Sequence, residues 1–164
     1  MDAFESPLLR YVLHVMRCSH EDAEDIVQEA FLRLHRQWTG KGRETVSDLS
    51  GWLFKVTHNL VLDGLRKTQR QRKAGEKMIE TAMKQVSEGD AIGDLEHREA
   101  CHRAMAAVEE LPDEQRQLLL MKIVSGMSLR QIGSVTGMTV GNAGYHVQRA
   151  LEKVARQLKK ESVI

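Results

Sequence analysis

The segment Ser128–Arg149 sets an amide, a phenol and an imidazole on one short stretch, and cations follow directly behind them. Asn142, Tyr145 and His146 can exchange hydrogen bonds with base edges, whereas Arg149 and the four further bases up to Lys160 suit phosphate. The surrounding residues supply a frame for that chemistry. Leu129, Ile132 and Val135 space out a short amphipathic helix that carries Arg130, Gly137 breaks it, and Thr139 can cap a second helix. Ala143, Val147, Leu151, Val154 and Leu158 give the second helix its core stripe. A small residue inside the first helix, Gly133, and the Gly137 turn allow two helices to cross closely at a steep angle. That is the arrangement of a helix-turn-helix, whose second helix enters the major groove of DNA. An ordinary helical hairpin is the bland alternative. The five bases in 149–160 against the single acid Glu152 favour DNA.

A second constellation lies upstream. Trp52, Phe54, His58 and Asn59 precede the basic run Arg66, Lys67, Arg70, Arg72 and Lys73, under which apolar residues stop. Rings stack on unpaired bases, amides read edges, and cations hold phosphates. Basic residues that merely complement a helix C-terminus would explain the run equally well. A third feature is the acidic face Asp22, Asp25 and Glu29, on which a local role at a helix N-terminus is the simpler expectation. His97, Cys101 and His102 sit within about one helical turn, but three ligands from one helix do not close a tetrahedral metal site, and Cys101 fits a core stripe. No metal, cofactor or catalytic residue is expected. No His-Glu-x-x-His spacing or facing Glu-x-x-His pair points to a metalloenzyme.

The elements that must position these groups are helices. Pro occurs only twice and aromatics are 4% of the 164 residues, which disfavours sheets. Ser6-Pro7 reads as a helix start, with Leu9, Val12 and Met16 on one face. Ser19-His20-Glu21-Asp22 has the form of a capping box and opens the cleanest helix, with Ala23, Ile26, Val27, Ala30, Phe31 and Leu34 inward. Residues 40–51 read as a loop, and a third helix follows with Leu53, Val56 and Leu60 as its stripe and Trp52 beside it. Residues 74–93 read as a linker, after which Leu95, Cys101, Met105 and Val108 lead to a stop at Leu111-Pro112 and a short helix carries Leu118, Leu119 and Ile123. The expected fold is all-α, two small helical domains, 1–73 and 94–164, joined by a linker over 74–93, the C-terminal one a helix-turn-helix.

Opposed patches hide behind a nearly neutral total. The chain has 24 basic and 23 acidic residues, yet 21–29 carries five acids and no base, while 66–77 carries six bases and one acid. Two cysteines make no disulfide framework, no signal sequence opens the chain, and no apolar run could cross a bilayer. A cytoplasmic, reduced protein without membrane insertion is expected.

In combination these features resemble a known family. Asp22-Ala23-Glu24-Asp25-Ile26-Val27-Gln28-Glu29-Ala30-Phe31-Leu32-Arg33-Leu34 is similar to region two of bacterial extracytoplasmic-function sigma factors. Trp52-Leu53-Phe54-Lys55-Val56 with Asn59, Asp63 and Arg66 resembles the promoter-reading helix of the same domain. Leu111-Pro112-Asp113-Glu114-Gln115-Arg116 and Ser128-Leu129-Arg130-Gln131-Ile132-Gly133 resemble region four. The resemblance implies a transcription initiation factor whose Asp22, Asp25, Gln28 and Glu29 dock on core RNA polymerase. It implies that Trp52, Asn59, Arg66, Lys67 and Arg70 act at the minus-ten element, the 40–51 loop helping to hold an extruded base. Arg130, Asn142, Tyr145, His146 and Arg149 then serve the minus-thirty-five element. An anti-sigma factor is a further partner that the resemblance brings with it. Gly141 and Gly144 depart from the basic residues usual at the start of the family's recognition helix. The rival reading is a stand-alone helix-turn-helix regulator, which leaves the acidic helix and the Trp52–Lys73 arrangement unexplained.

Overall fold

The computed structural model describes residues 2–40, 46–73 and 95–161. They form seven α-helices and no strand: α1 (Asp2–Met16), α2 (His20–Thr39), α3 (Leu49–Lys73), α4 (Leu95–Glu109), α5 (Asp113–Ile123), α6 (Leu129–Thr136) and α7 (Val140–Glu161). The expected linker, 74–93, lies outside the described residues, as does 41–45 of the expected loop.

α1 begins earlier than Ser6-Pro7 suggested, at Asp2, with Pro7 inside the helix. The proline removes one backbone donor near the N-terminus, where few turns precede it to be disrupted. Phe4 packs against the core, so the added turn contributes burial. Leu8, Tyr11, Val12, Leu13 and Val15 are all buried, so α1 is enclosed on more than the single face of Leu9, Val12 and Met16. α2 starts as its sequence indicates: the Asp22 N–H donates to the N-cap Ser19 Oγ at 3.1 Å, and Ser19 Oγ–H donates to Asp22 Oδ2 at 2.6 Å. Ala23, Val27, Ala30 and Leu34 are buried, with Ile26 and Phe31 half-buried beside them.

α3 begins at Leu49, inside the stretch expected to be loop, because Asp48 caps it: the Gly51 N–H donates to Asp48 Oδ1 at 2.9 Å. Its buried side is Leu53, Phe54, Thr57, His58 and Val61, whereas Val56 and Leu60 are only half-buried. The inward face is therefore turned from the expected stripe, and Phe54 and His58 are core residues rather than base-stacking ones. The cause lies in α1. Tyr11 is fully buried, stands edge-on to Phe54 with ring centroids 6.1 Å apart, and its hydroxyl shares a 2.8 Å hydrogen bond with His58 Nδ1. A buried phenol needs such a partner, and burial pushes the Tyr11 phenol well above its ordinary range.

The His58 pair sets a pH dependence. Burial lowers His58 from 6.5 to about 4. Between those values an unfolded chain binds a proton that the folded chain refuses, so its stabilisation is complete above about pH 6.5 and is lost as pH falls through about 4. The loss amounts to up to about 3 kcal/mol. We expect the melting temperature to fall steadily from pH 7 to 4.5 and this slope to shrink in His58→Gln, measured by thermal melts across that range. An unchanged slope in the variant removes His58 from the account.

α5 to α7 span close to the expected residues, but Leu151 stands exposed rather than in the core stripe of α7, where Ala150 is buried instead, and Ile123 is exposed at the end of α5 while Leu118 to Met121 are buried. Ser128 caps α6 in a complete capping box, its Oγ accepting from the Gln131 N–H at 3.2 Å while Gln131 Oε1 accepts from the Ser128 N–H at 3.0 Å. Gly137 ends α6 with φ +77°, a left-handed conformation that glycine adopts without strain. A side chain on Gly133 would lie 2.7 Å from the Met138 carbonyl oxygen, which makes the glycine a condition for the turn. α7 is capped by Thr139, whose Oγ1 accepts from the Asn142 N–H at 3.2 Å. Cys101 is exposed on α4, not in the core stripe expected for it, and Val108 with Ala107 takes that role.

The two halves pack against each other. α1 lies against α5 and α3 against α6, and one hydrophobic cluster runs from Leu8 through Leu53 and Leu118 to Ile132 and Ala150. The α1–α5 contact centres on Arg116, which is 5% exposed. Its guanidinium donates to Asp113 Oδ1 at 2.6 Å, to the Glu109 carbonyl at 3.1 Å and to the Val15 carbonyl at 3.4 Å. Arg17 also donates to the Glu109 carbonyl, and His14 stands 3.7 Å from the Glu109 carboxylate.

Candidate nucleic-acid and polymerase interfaces

Three exposed surfaces carry the residues that the sequence singles out. The first is α2. Asp22, Asp25 and Gln28 are exposed and Glu29 is half-exposed, all away from the buried stripe. Glu29 accepts from Arg33 Nε at 2.8 Å, and this contact holds its carboxyl below the usual carboxylate range. Asp22 is partly engaged with Ser19, so a capping role is real; Asp25 has no such local task on the helix start. Leu32 and Trp38 also stand out to solvent on the C-terminal half of this helix.

The second surface is one side of α3. Trp52, Asn59, Arg66 and Arg70 are spaced 7, 7 and 4 apart, which on a helix of 3.6 residues per turn keeps them within a narrow strip. Lys67 lies at its margin. Asn59, Arg66, Lys67 and Arg70 are exposed. The strip has one internal ion pair, Arg66 Nη1 to Asp63 Oδ1 at 3.2 Å, and at that exposure such a pair adds little. Trp52 differs: it is half-buried and faces α6 across a cleft.

The third surface is the outward face of α7. Asn142, Tyr145 and Arg149 follow at i, i+3 and i+7 and are exposed, Tyr145 by 57%. The Arg149 guanidinium lies over the Tyr145 ring, 5.8 Å from its centre, and 3.6 Å from Glu152. The cation is thereby held beside the phenol. His146 turns inward, stacks edge-on to Tyr145 at 5.5 Å and stands 3.9 Å from Glu114 on α5. It sits apart from the Asn142–Tyr145–Arg149 row. Arg130 is exposed at the start of α6 and lines the cleft opposite Trp52.

The two glycines of α7 separate once neighbours are known. A Cβ on Gly144 would meet Leu129 Cδ1 at 3.3 Å, so helix packing explains it. A Cβ on Gly141 would meet nothing within 4 Å, and no intramolecular contact explains that glycine. Gly141→Ala is expected to stabilise the chain by about 0.5–1 kcal/mol and to raise the melting temperature by a few degrees. A calorimetric scan showing a decrease contradicts this.

What sequence reasoning missed is the cleft itself. Val46, Asp48, Trp52 and Lys55 form one wall, Arg130, Gln131, Ser134 and Val135 the other, around about 350 Å³. Gln131 Nε2 donates to Asp48 Oδ2 at 3.1 Å, bridging residues 83 apart. The Gly51 N–H and then the Gln131 amide hold the Asp48 carboxyl below its ordinary range. No local signal marks this pair, since each residue already has a task as a cap of its own helix. Among the described residues no cluster of three or more His, Cys, Asp or Glu could hold a metal ion; Cys101 and His102 are exposed, and the His97 side chain lies outside the described residues. No described helix is long and apolar enough to cross a membrane.

Known proteins share this layout. Residues 2–71 match the family described as Sigma-70 region 2, and residues 101–154 match Sigma-70, region 4. The ECF RNA polymerase sigma factor SigW of Bacillus subtilis is 26% identical over 168 aligned residues, covering 97% of this chain and 87% of that protein. ECF RNA polymerase sigma factor EcfG of Rhodopseudomonas palustris is 28% identical, covering 93% and 80% of the two chains. The fold is similar to that of the sigma factor RpoE co-crystallised with the anti-sigma factor NepR from Bartonella quintana. That match has a TM-score of 0.71 at 22% identity, over 93% of this chain and 89% of that one.

Proposed function

The chain belongs to the sigma-70 family, in its extracytoplasmic-function group, and from that premise we propose how its residues divide the work of initiation. A protein of this family binds core RNA polymerase and directs promoter recognition and transcription initiation; it is a regulatory subunit. The observation that carries this function is the match of both halves, in order, to Sigma-70 region 2 and region 4. A lone helix-turn-helix regulator would account for the second match only.

In our reading residues 1–73 form the polymerase-binding and minus-ten domain, 74–93 the linker and 94–164 the minus-thirty-five domain. Asp22, Asp25, Gln28 and Glu29 dock on polymerase; their exposure on one side of α2 supports this. The α3 strip meets the minus-ten element, with Asn59 offering amide contacts and Arg66, Lys67 and Arg70 holding phosphates. Trp52 supplies the ring against which an unstacked base can rest, a step that costs a few kcal/mol and so needs a preformed partner. On α7 Asn142 and Tyr145 read base edges, Arg149 and Arg130 contact the backbone, and His146 serves mainly to orient Tyr145. Such a protein works in the cytoplasm with polymerase and catalyses no reaction of its own. The Bartonella quintana neighbour was crystallised with an anti-sigma factor; a protein inhibitor is proposed for this chain as well. The test is run-off transcription by core polymerase on a promoter library, with and without the chain. Transcripts starting at a common motif only when it is present are expected; identical transcripts in both reactions refute the reading.

A further inference from the structure

The core side of α7 fixes what its outward face carries. Ala143, Val147 and Ala150 are buried, and at about 100° per residue Tyr145 and Glu152 fall opposite them. Arg149 flanks that line on one side and Gln148 on the other, each about 50° away. All four are exposed, whereas His146 is half-buried and stands toward Glu114. Asn142, Tyr145 and Gln148 therefore form an exposed row at i, i+3 and i+6. Side chains at that spacing reach successive base pairs when a helix enters the major groove. Gln148 is also held in place. Its Nε2 donates to Glu152 Oε1 at 3.4 Å, and the same carboxylate stands 3.6 Å from Arg149. A carboxylate only accepts, so the amide nitrogen is turned toward Glu152 and the amide oxygen away from it. The donor used there leaves a second N–H and the oxygen to offer outward.

We propose that Gln148 is a specificity-determining residue that reads adenine in the minus-thirty-five element, with Glu152 as the positioning residue that fixes which way its amide faces. The inference rests on the assignment of α7 to that element. In the major groove adenine presents N7 as an acceptor and its N6 amino group as a donor, and an amide meets both at once with one N–H and its oxygen. Guanine presents two acceptors, N7 and O6, so the amide oxygen would be left against another oxygen. An amide free to turn could still donate to guanine. Glu152 denies it that turn, because the amide oxygen would then face a carboxylate. Arg149, beside Glu152, offsets the negative charge that this device brings close to DNA.

The test is competition among promoters in run-off transcription by core polymerase with the full chain. The templates have a randomised upstream element, and each carries a barcode in its transcript for sequencing. The parent is expected to favour adenine over guanine at one position roughly five- to 150-fold. Gln148→Ala is expected to erase that preference and leave the other positions unchanged. Gln148→Arg is expected to turn it to guanine, whose O6 and N7 suit a guanidinium. Glu152→Ala is expected to lower the adenine-to-guanine ratio severalfold, and to leave the ratio unchanged in a Gln148→Ala background, the coupling that a positioning role requires. Both side chains are exposed, so a thermal melt of each variant is expected within about two degrees of the parent. If Asn142→Ala, Tyr145→Ala and Gln148→Ala all leave the upstream preference intact, the assignment of α7 itself fails. If either of the first two alters it, three results overturn the role of Gln148: an unchanged preference in Gln148→Ala, an equal loss for all four bases, or an adenine preference that survives in Gln148→Arg. An unaltered ratio in Glu152→Ala overturns the role of Glu152.

Discussion

Reversing the charges of Arg66, Lys67 and Arg70 to Glu is expected to abolish promoter opening while leaving the affinity for core polymerase within about twofold of the parent, because rim charges elsewhere carry that docking. All three side chains are exposed on the last turns of α3, beyond the point where buried residues end at Val61. The fold therefore has little to lose there. Arg66 is paired with Asp63 on the surface, an interaction of small worth, so a melt should shift by no more than a degree or two. The effect on DNA is another matter. Each phosphate contact removed lowers the slope of log affinity against log salt by about 0.7–0.9, so the triple variant should lose roughly 2–3 in slope. Permanganate footprinting of the melted region and a salt titration of promoter binding measure the two quantities. Normal open complexes in the triple variant return the basic run to a solvated helix end.

The second large effect belongs to α2. Asp22→Asn with Asp25→Asn keeps hydrogen-bonding shape and removes two charges. The amide oxygen that replaces the Asp22 carboxylate can still accept from Ser19 Oγ–H, so the cap geometry persists in kind. If these acids only complement the helix dipole, the double variant loses about 0.3–1 kcal/mol per charge at low salt and nothing else. If they dock polymerase, a folded protein fails to bind it. We expect the latter: affinity for core polymerase reduced roughly tenfold or more, with the association rate falling most at low ionic strength, where screening is weakest. A kinetic titration beside a thermal melt separates the outcomes, and a lowered melting temperature with unchanged polymerase affinity removes the docking role.

Much of the molecule is legible residue by residue because its causes are local. Ser19, Ser128 and Thr139 cap the helices that follow them, and these contacts span three residues. The stripe of α2 and the α6–α7 turn obey a period that any window of a dozen residues displays. Gly133 and Gly137 mark a close crossing before any neighbour is known. The acidic, basic and polar faces likewise lie in the order of residue types, and their resemblance to sigma regions two and four is a matter of sequence. Other features depend on partners far along the chain. α3 carries apolar and aromatic residues around much of its circumference, so its periodicity leaves the inward side open; Tyr11, 47 residues away, selects the side of Phe54 and His58. Pro7 reads as a start until Phe4 finds a core to join. Arg116 looks like one more surface cation in a charged motif, yet the carbonyl of Val15 and the end of α4 enclose it. The union of the two halves across Asp48 and Gln131 has no trace in either segment. Caps and helical period act over three or four residues and are written locally, whereas which of two plausible faces is buried is settled by the shape of whatever packs against it.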